Sequence, residues 1–115
     1  MASSPQFLQG VYAFSGSGLE KPELIDESLV YVVPSGVIAQ PLYLRAGNSS
    51  DELILVTLLR DGERMRLFPI GARGSINVPL RVVEDVDPDT RLELTIAAPA
   101  GVTGDVVIDF GLMEV

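Results

Sequence analysis

Cysteine, histidine and tryptophan are absent from these 115 residues, and Lys21 is the single lysine. Without cysteine there is no disulfide and no thiolate metal ligand. Without histidine the chain lacks the commonest general base, the commonest metal ligand and the side chain that titrates near neutrality. A serine or threonine nucleophile would need another activating group, and no motif places one beside it. Nor is there a Gly-Lys-Ser/Thr phosphate loop. Sixteen acids against eight bases give a formal charge of −8, which repels a nucleic-acid backbone. Although 47% of the residues are hydrophobic, no apolar run approaches the roughly 18 residues of a membrane helix. The start, Met1-Ala2-Ser3-Ser4-Pro5, lacks the basic and apolar parts of a signal peptide. These absences predict a non-enzymatic chain with no cofactor or metal, engaging neither nucleic acid nor membrane. They also predict that it stays in the cytoplasm or leaves it only within a particle.

What is present is alternation. Leu92, Leu94 and Ile96 face one way and Arg91, Glu93 and Thr95 the other. Val106, Ile108, Phe110 and Leu112 repeat the pattern, with Asp105, Val107 and Asp109 opposite. Ile76, Val78, Leu80 and Val82 make another apolar face, and Pro79 marks that strand as an edge or an irregularity. Asp61-Gly62 between two apolar runs predicts a hairpin. Residues 53–59 are apolar on both faces, as in a strand covered on both sides or one whose outer face meets another subunit. A strand through Tyr31 and Val33 ends at Pro34, and the strand after it, over 37–45, carries Pro41 as a bulge or edge marker. Residues 6–14 read as one more strand, or as an arm that becomes a strand on another subunit. The segment 15–27 is flexible and acidic, with room for a helical turn after Pro22. Turn residues recur about every ten positions, the spacing of a sandwich or barrel. The expectation is an all-β chain with a single β-sandwich, jelly-roll or immunoglobulin-like, of about seven to eight strands. Its core spans 28–115, after an extended N-terminal arm and linker over 1–27.

Few groups suggest chemistry. Asp85, Asp87 and Asp89, next to Glu84, alternate as at the start of a calcium loop. Thr90 then stands where such a loop needs glycine, and Ile96 where it needs glutamate. The stretch therefore reads as an Asp-Pro-Asp turn. Arg60, Arg64, Arg66 and Arg73 are the basic concentration, and two-residue spacing puts Arg64 and Arg66 on one strand face. They suit either acids on a neighbouring subunit or a solvated face. Most of the seven aromatics suit core packing, but Phe7, Tyr12 and Phe14 gather in the arm, where aromatics anchor interfaces. With Ile54, Val56, Leu58, Arg64 and Arg66 they make the candidate interface.

The order of turns resembles that of small virion structural proteins of tailed phages. Val33-Pro34-Ser35-Gly36 is similar to a "VPxG" turn between two strands, and the loop through Asn48 and Ser50 to an "xxNxS" loop. Gly71-Ala72-Arg73-Gly74-Ser75 stands where that family has a Gly-Ser turn, and Val86-Asp87-Pro88-Asp89-Thr90-Arg91-Leu92 where it has a "GDxL"-like turn. The resemblance covers 28–115. It implies a capsid decoration or cement protein, or a head fibre, working in the virion after assembly in the host cytoplasm. The implied partners are the major capsid protein and further copies of the chain, as a homotrimer. The second role it implies is a tail-tip or fibre module that binds a host glycan.

Overall fold

The structure is a computed structural model that describes residues 3–81 and 85–115. Val82 and Glu84, read above as strand and acidic cluster, lie outside the described residues. The strands are β1 (Ser4–Ser15), β2 (Glu23–Leu24), β3 (Tyr31–Val32), β4 (Ala39–Asn48), β5 (Ile54–Arg60), β6 (Glu63–Ile70), β7 (Ser75–Pro79), β8 (Arg91–Ala97) and β9 (Thr103–Glu114). All pairings between them are antiparallel. One sheet runs β1-β9-β4-β7 and the other β2-β8-β5-β6, with β3 also on β8. Apart from the β5–β6 hairpin and the step from β2 to β3, each connection crosses from one sheet to the other. That order makes the sandwich a jelly roll rather than an immunoglobulin fold.

The alternation read from the sequence is what closes the core. Leu44, Ala46, Val106, Ile108, Phe110 and Leu112 from the first sheet meet Ile54, Val56, Leu58, Phe68, Leu92, Leu94 and Ile96 from the second, and all are buried. At the hairpin, Asp61 and Gly62 both take positive φ, 50° and 82°, as a two-residue type I′ turn requires. Pro41 sits at a register shift in the β4–β9 pairing, and Pro79 ends the edge strand β7.

Three expectations change. Residues 4–15 are not an arm reaching for a neighbour: they pair with β9 over twelve consecutive positions, from Ser4↔Glu114 to Ser15↔Thr103. Their inward side chains Leu8, Tyr12 and Phe14 pack on the same core. After Pro22 there is no helix but the two-residue β2, and the helical turn comes later, as a 3₁₀ turn over Glu27–Leu29 capped by Asp26. Ile54, Val56 and Leu58 face inward and are at most 1% exposed, so they hold the sandwich together and offer a partner nothing. The other side of that strand, with Leu55, Thr57 and Leu59, faces a groove of about 470 Å³ bordered by Leu19 and Pro22.

Tyr31 bridges the sheets. Its hydroxyl donates to Glu114 Oε2, and burial, then that bond and its negative charge, push the phenol above its ordinary value. The unfolded chain ionises this phenol near pH 10 while the folded chain still resists. The tyrosine's contribution to stability is therefore full below about pH 10 and is lost progressively above it. Tyr31→Phe should flatten the alkaline fall in stability in urea melts between pH 9 and 11; an unchanged slope would show that the loss has another source.

Candidate functional site

The outer face of the first sheet collects the side chains that the core leaves out. Antiparallel partners share a face, so its rows follow from the register. One row runs Phe7, Gly111, Tyr43, Pro79; the next runs Gln9, Asp109, Arg45, Asn77; the third runs Val11, Val107, Gly47, Ser75.

The middle row is a hydrogen-bonded network. Gln9 Nε2 donates to Asp109 Oδ1 at 3.0 Å, and the Tyr43 hydroxyl donates to the same oxygen at 2.9 Å. Arg45 Nη1 lies 3.9 Å from Asp109 Oδ2, and its guanidinium packs 4.9 Å from the centre of the Tyr43 ring, a cation–π distance. Gly111 makes this possible: the ring fills the space its missing side chain would take, and a Cβ there would lie 2.2 Å from Tyr43 Cε2. Burial, then the bond to Asp109 and its charge, raise the Tyr43 phenol, with Arg45 acting the other way. The hydroxyl therefore stays a donor and fixes the carboxylate. Beside this network Phe7 is 56% exposed. Below it, bare Gly47 floors a shallow depression of about 650 Å³ rimmed by Arg45, Ser75, Asn77, Val107 and Asp109. An apolar ring beside fixed donors and acceptors is the make-up of a small-molecule site. A carboxylate, a guanidinium and two amides could bond neighbouring hydroxyls while Phe7 covers an apolar ring face.

Of the residues singled out in the sequence, only Phe7 belongs here. Tyr12 points inward, its hydroxyl bonded to Ser28 Oγ at 2.8 Å, and Phe14 is half-buried against the core. Arg64 and Arg66 do not share a face. The register shifts between Leu58 and Leu59, so Arg66 opposes inward Leu58 and Arg64 opposes outward Leu59. Neither makes an ion pair among the described residues, while Arg73 pairs with exposed Asp51 and holds its carboxyl below the usual range. Asp87-Pro88-Asp89 is the expected turn, with Asp89 at φ 67° accepting from Ser35 Oγ. Among the described residues no three acidic side chains gather as a metal site. Gln9, Tyr43, Arg45, Asn77 and Asp109 were missed; the outward Asp105, Val107 and Asp109 alternation was the one signal in the sequence that touched them.

No family model matches the chain, and no curated protein does. Among solved structures the fold is similar to the CBM36-1 domain, a carbohydrate-binding module, of a multidomain xylanase from the hindgut metagenome of Trinervitermes trinervoides. The identity is 17%, the TM-score 0.54, and 96% of each chain is covered. At that identity the likeness shows the fold. It also corrects the expectation of a capsid decoration or cement protein: a solved structure of similar fold is a carbohydrate-binding module, and no family model or curated protein points to a capsid component. The comparison carries a β-sandwich fold, and the strand order makes that sandwich a jelly roll.

Proposed function

We propose that this domain is a non-catalytic glycan-binding module that uses the outer face of the β1-β9-β4-β7 sheet. The observation that carries the reading is the fixed row Gln9–Asp109–Arg45 beside the exposed ring of Phe7. Asp109 and Arg45 offset each other's charge, so the face suits a neutral, hydroxyl-rich ligand. An anionic glycan would meet the −8 charge of the chain. The carbohydrate-binding module of similar fold supports this reading. So does the absence of histidine and cysteine, which removes the commonest general base and the thiol nucleophile. Of the two roles the sequence resemblance implied, this reading keeps the tail-tip or fibre module that grips a host glycan.

The test is retention on insoluble cellulose, xylan, chitin and peptidoglycan, with a glycan array for soluble oligosaccharides. Retention on a neutral glycan is expected, with no reducing ends released from it. Phe7→Ala and Asp109→Ala should each weaken that retention about tenfold or more, the equivalent of about 1.4 kcal/mol. A folded protein that binds nothing on the array and none of the four polymers would end this reading.

A further inference from the structure

We infer that two copies of this chain pair through the free edge of β1, antiparallel across a two-fold axis, into one continuous sheet. β1 is the outermost strand of its sheet, bonded on one side to β9. An edge strand presents unpaired N–H and C=O groups that accept another strand unless something blunts them. The other edges of this sandwich are blunted. β7 has five residues and ends in Pro79. β2 has two residues and follows Pro22. β6 carries Glu63, Arg64, Arg66 and Pro69, and its pairing with β5 breaks register.

β1 has none of these protections beyond Pro5 near its start. It runs for twelve residues, SPQFLQGVYAFS, without one charge, and pairs with β9 without a register shift. Phe7 and Val11 stand out from it, 56% and 66% exposed. Among the described residues no backbone–backbone bond outside the β9 ladder engages β1. Among the described residues the Tyr12 hydroxyl, at 3.3 Å from Gln9 O, is the one side-chain group that caps a β1 carbonyl.

A second copy is the occupant because the edge is self-complementary. Antiparallel pairing of β1 with itself opposes no like charges in any register, since the strand carries none. It needs only backbone groups that both copies hold. The cost is long-range repulsion between two chains of charge −8, which salt screens. One such edge per chain closes the assembly at two.

Light scattering on the full chain, with no glycan present, tests this. The expected mass is twice the 12.3 kDa of one chain at high protein concentration, with the dimer favoured as salt is raised. Val11→Lys with Ala13→Lys places like charges across the seam, while Lys at 13 faces Asp105 within its own sheet. That variant should run as a monomer with an unchanged circular dichroism spectrum. As a second readout, the β1 amides that point away from β9 should exchange hydrogen slowly in concentrated samples and rapidly in dilute ones. A single-chain mass at every concentration, a trimer, or a dimer indifferent to the paired lysines would overturn the proposal. So would β1 exchange that ignores concentration. None of these results bears on glycan binding.

Discussion

Asn48→Asp should lower the stability of the domain by about 3–5 kcal/mol at neutral pH, because it puts a buried charge where three carbonyls converge. Asn48 ends β4 and is 4% exposed. Its Nδ2 donates to the carbonyls of Glu52, Ile70 and Gly71 at 2.8, 3.3 and 3.1 Å. Its Oδ1 accepts from the Ser50 amide at 2.9 Å and the Ser50 hydroxyl at 2.8 Å. One amide thus ties the loop after β4 to the end of β6, across the two sheets. Aspartate keeps the acceptor and loses every donor, so the carbonyls face an oxygen instead of an N–H. Total stabilities of about 5–15 kcal/mol make such a loss a large fraction of the whole. The new carboxyl is held neutral more easily when folded, so its folded pKa rises above the unfolded value. The deficit is therefore full at neutral pH and shrinks as pH falls toward the ordinary carboxylate range. Asn48→Ala loses the bonds without gaining the charge and should cost less. Urea melts of the three proteins at pH 7 and pH 4.5 check this. Equal midpoints for the aspartate variant and the parent at pH 7 would remove Asn48 as the clasp.

Gly111→Ala should abolish most glycan retention and leave the fold in place. The added methyl would overlap the Tyr43 ring, whose Cε2 lies 2.2 Å from the Cβ position. The obstacle is the far end of a side chain on the outer face, so the ring can swing away and the backbone need not move. When it swings, Asp109 loses its phenol donor and Arg45 loses the ring beneath it. The acceptor row then has no fixed geometry. Losing fixed positions costs binding even when each group survives. We expect the weakening to match that of Tyr43→Ala, roughly tenfold, with a melting midpoint close to that of the parent. A collapsed midpoint would mean that Gly111 serves the fold first. Undiminished retention would mean that the ring does not organise the row.

The pattern of β8 and β9 was legible because alternation in a half-buried strand is written residue by residue, and Leu92, Leu94, Ile108 and Phe110 fell where it put them. The Asp61-Gly62 turn was legible for the same local reason. The site was not. Gln9, Asp109 and Arg45 touch only because three strands lie in a particular register, with partners 100 and 64 residues apart, and no local pattern encodes that. Tyr43 was read as core because aromatics usually are. The irregularity between Pro41 and Tyr43 breaks the simple alternation that would have shown which way it points. The same physics undid the arginine pair: a single bulge in the β5–β6 hairpin sent Arg64 and Arg66 to opposite faces. Residues 53–59 were ambiguous because both faces of β5 are in fact apolar. The inner one is sealed, and the outer one is half-covered by the stretch around Leu19 and Pro22.

The pairing of β1 with β9 also has a consequence in time. Its partners are separated by 88 residues at Ser15↔Thr103 and by 110 at Ser4↔Glu114. At roughly 5–20 residues per second of synthesis, β1 leaves the ribosome several seconds or more before the strand it needs exists. β9 is also the strand that joins β1 to β4, so the first sheet has no centre until then. Among the described residues only the β5–β6 hairpin pairs strands adjacent in sequence, so it alone can form early from neighbouring residues. For that interval an uncharged, apolar strand waits in the open. A nascent-chain chaperone, or a slow pause that keeps copies apart, would matter more to this domain's yield than its final stability would suggest.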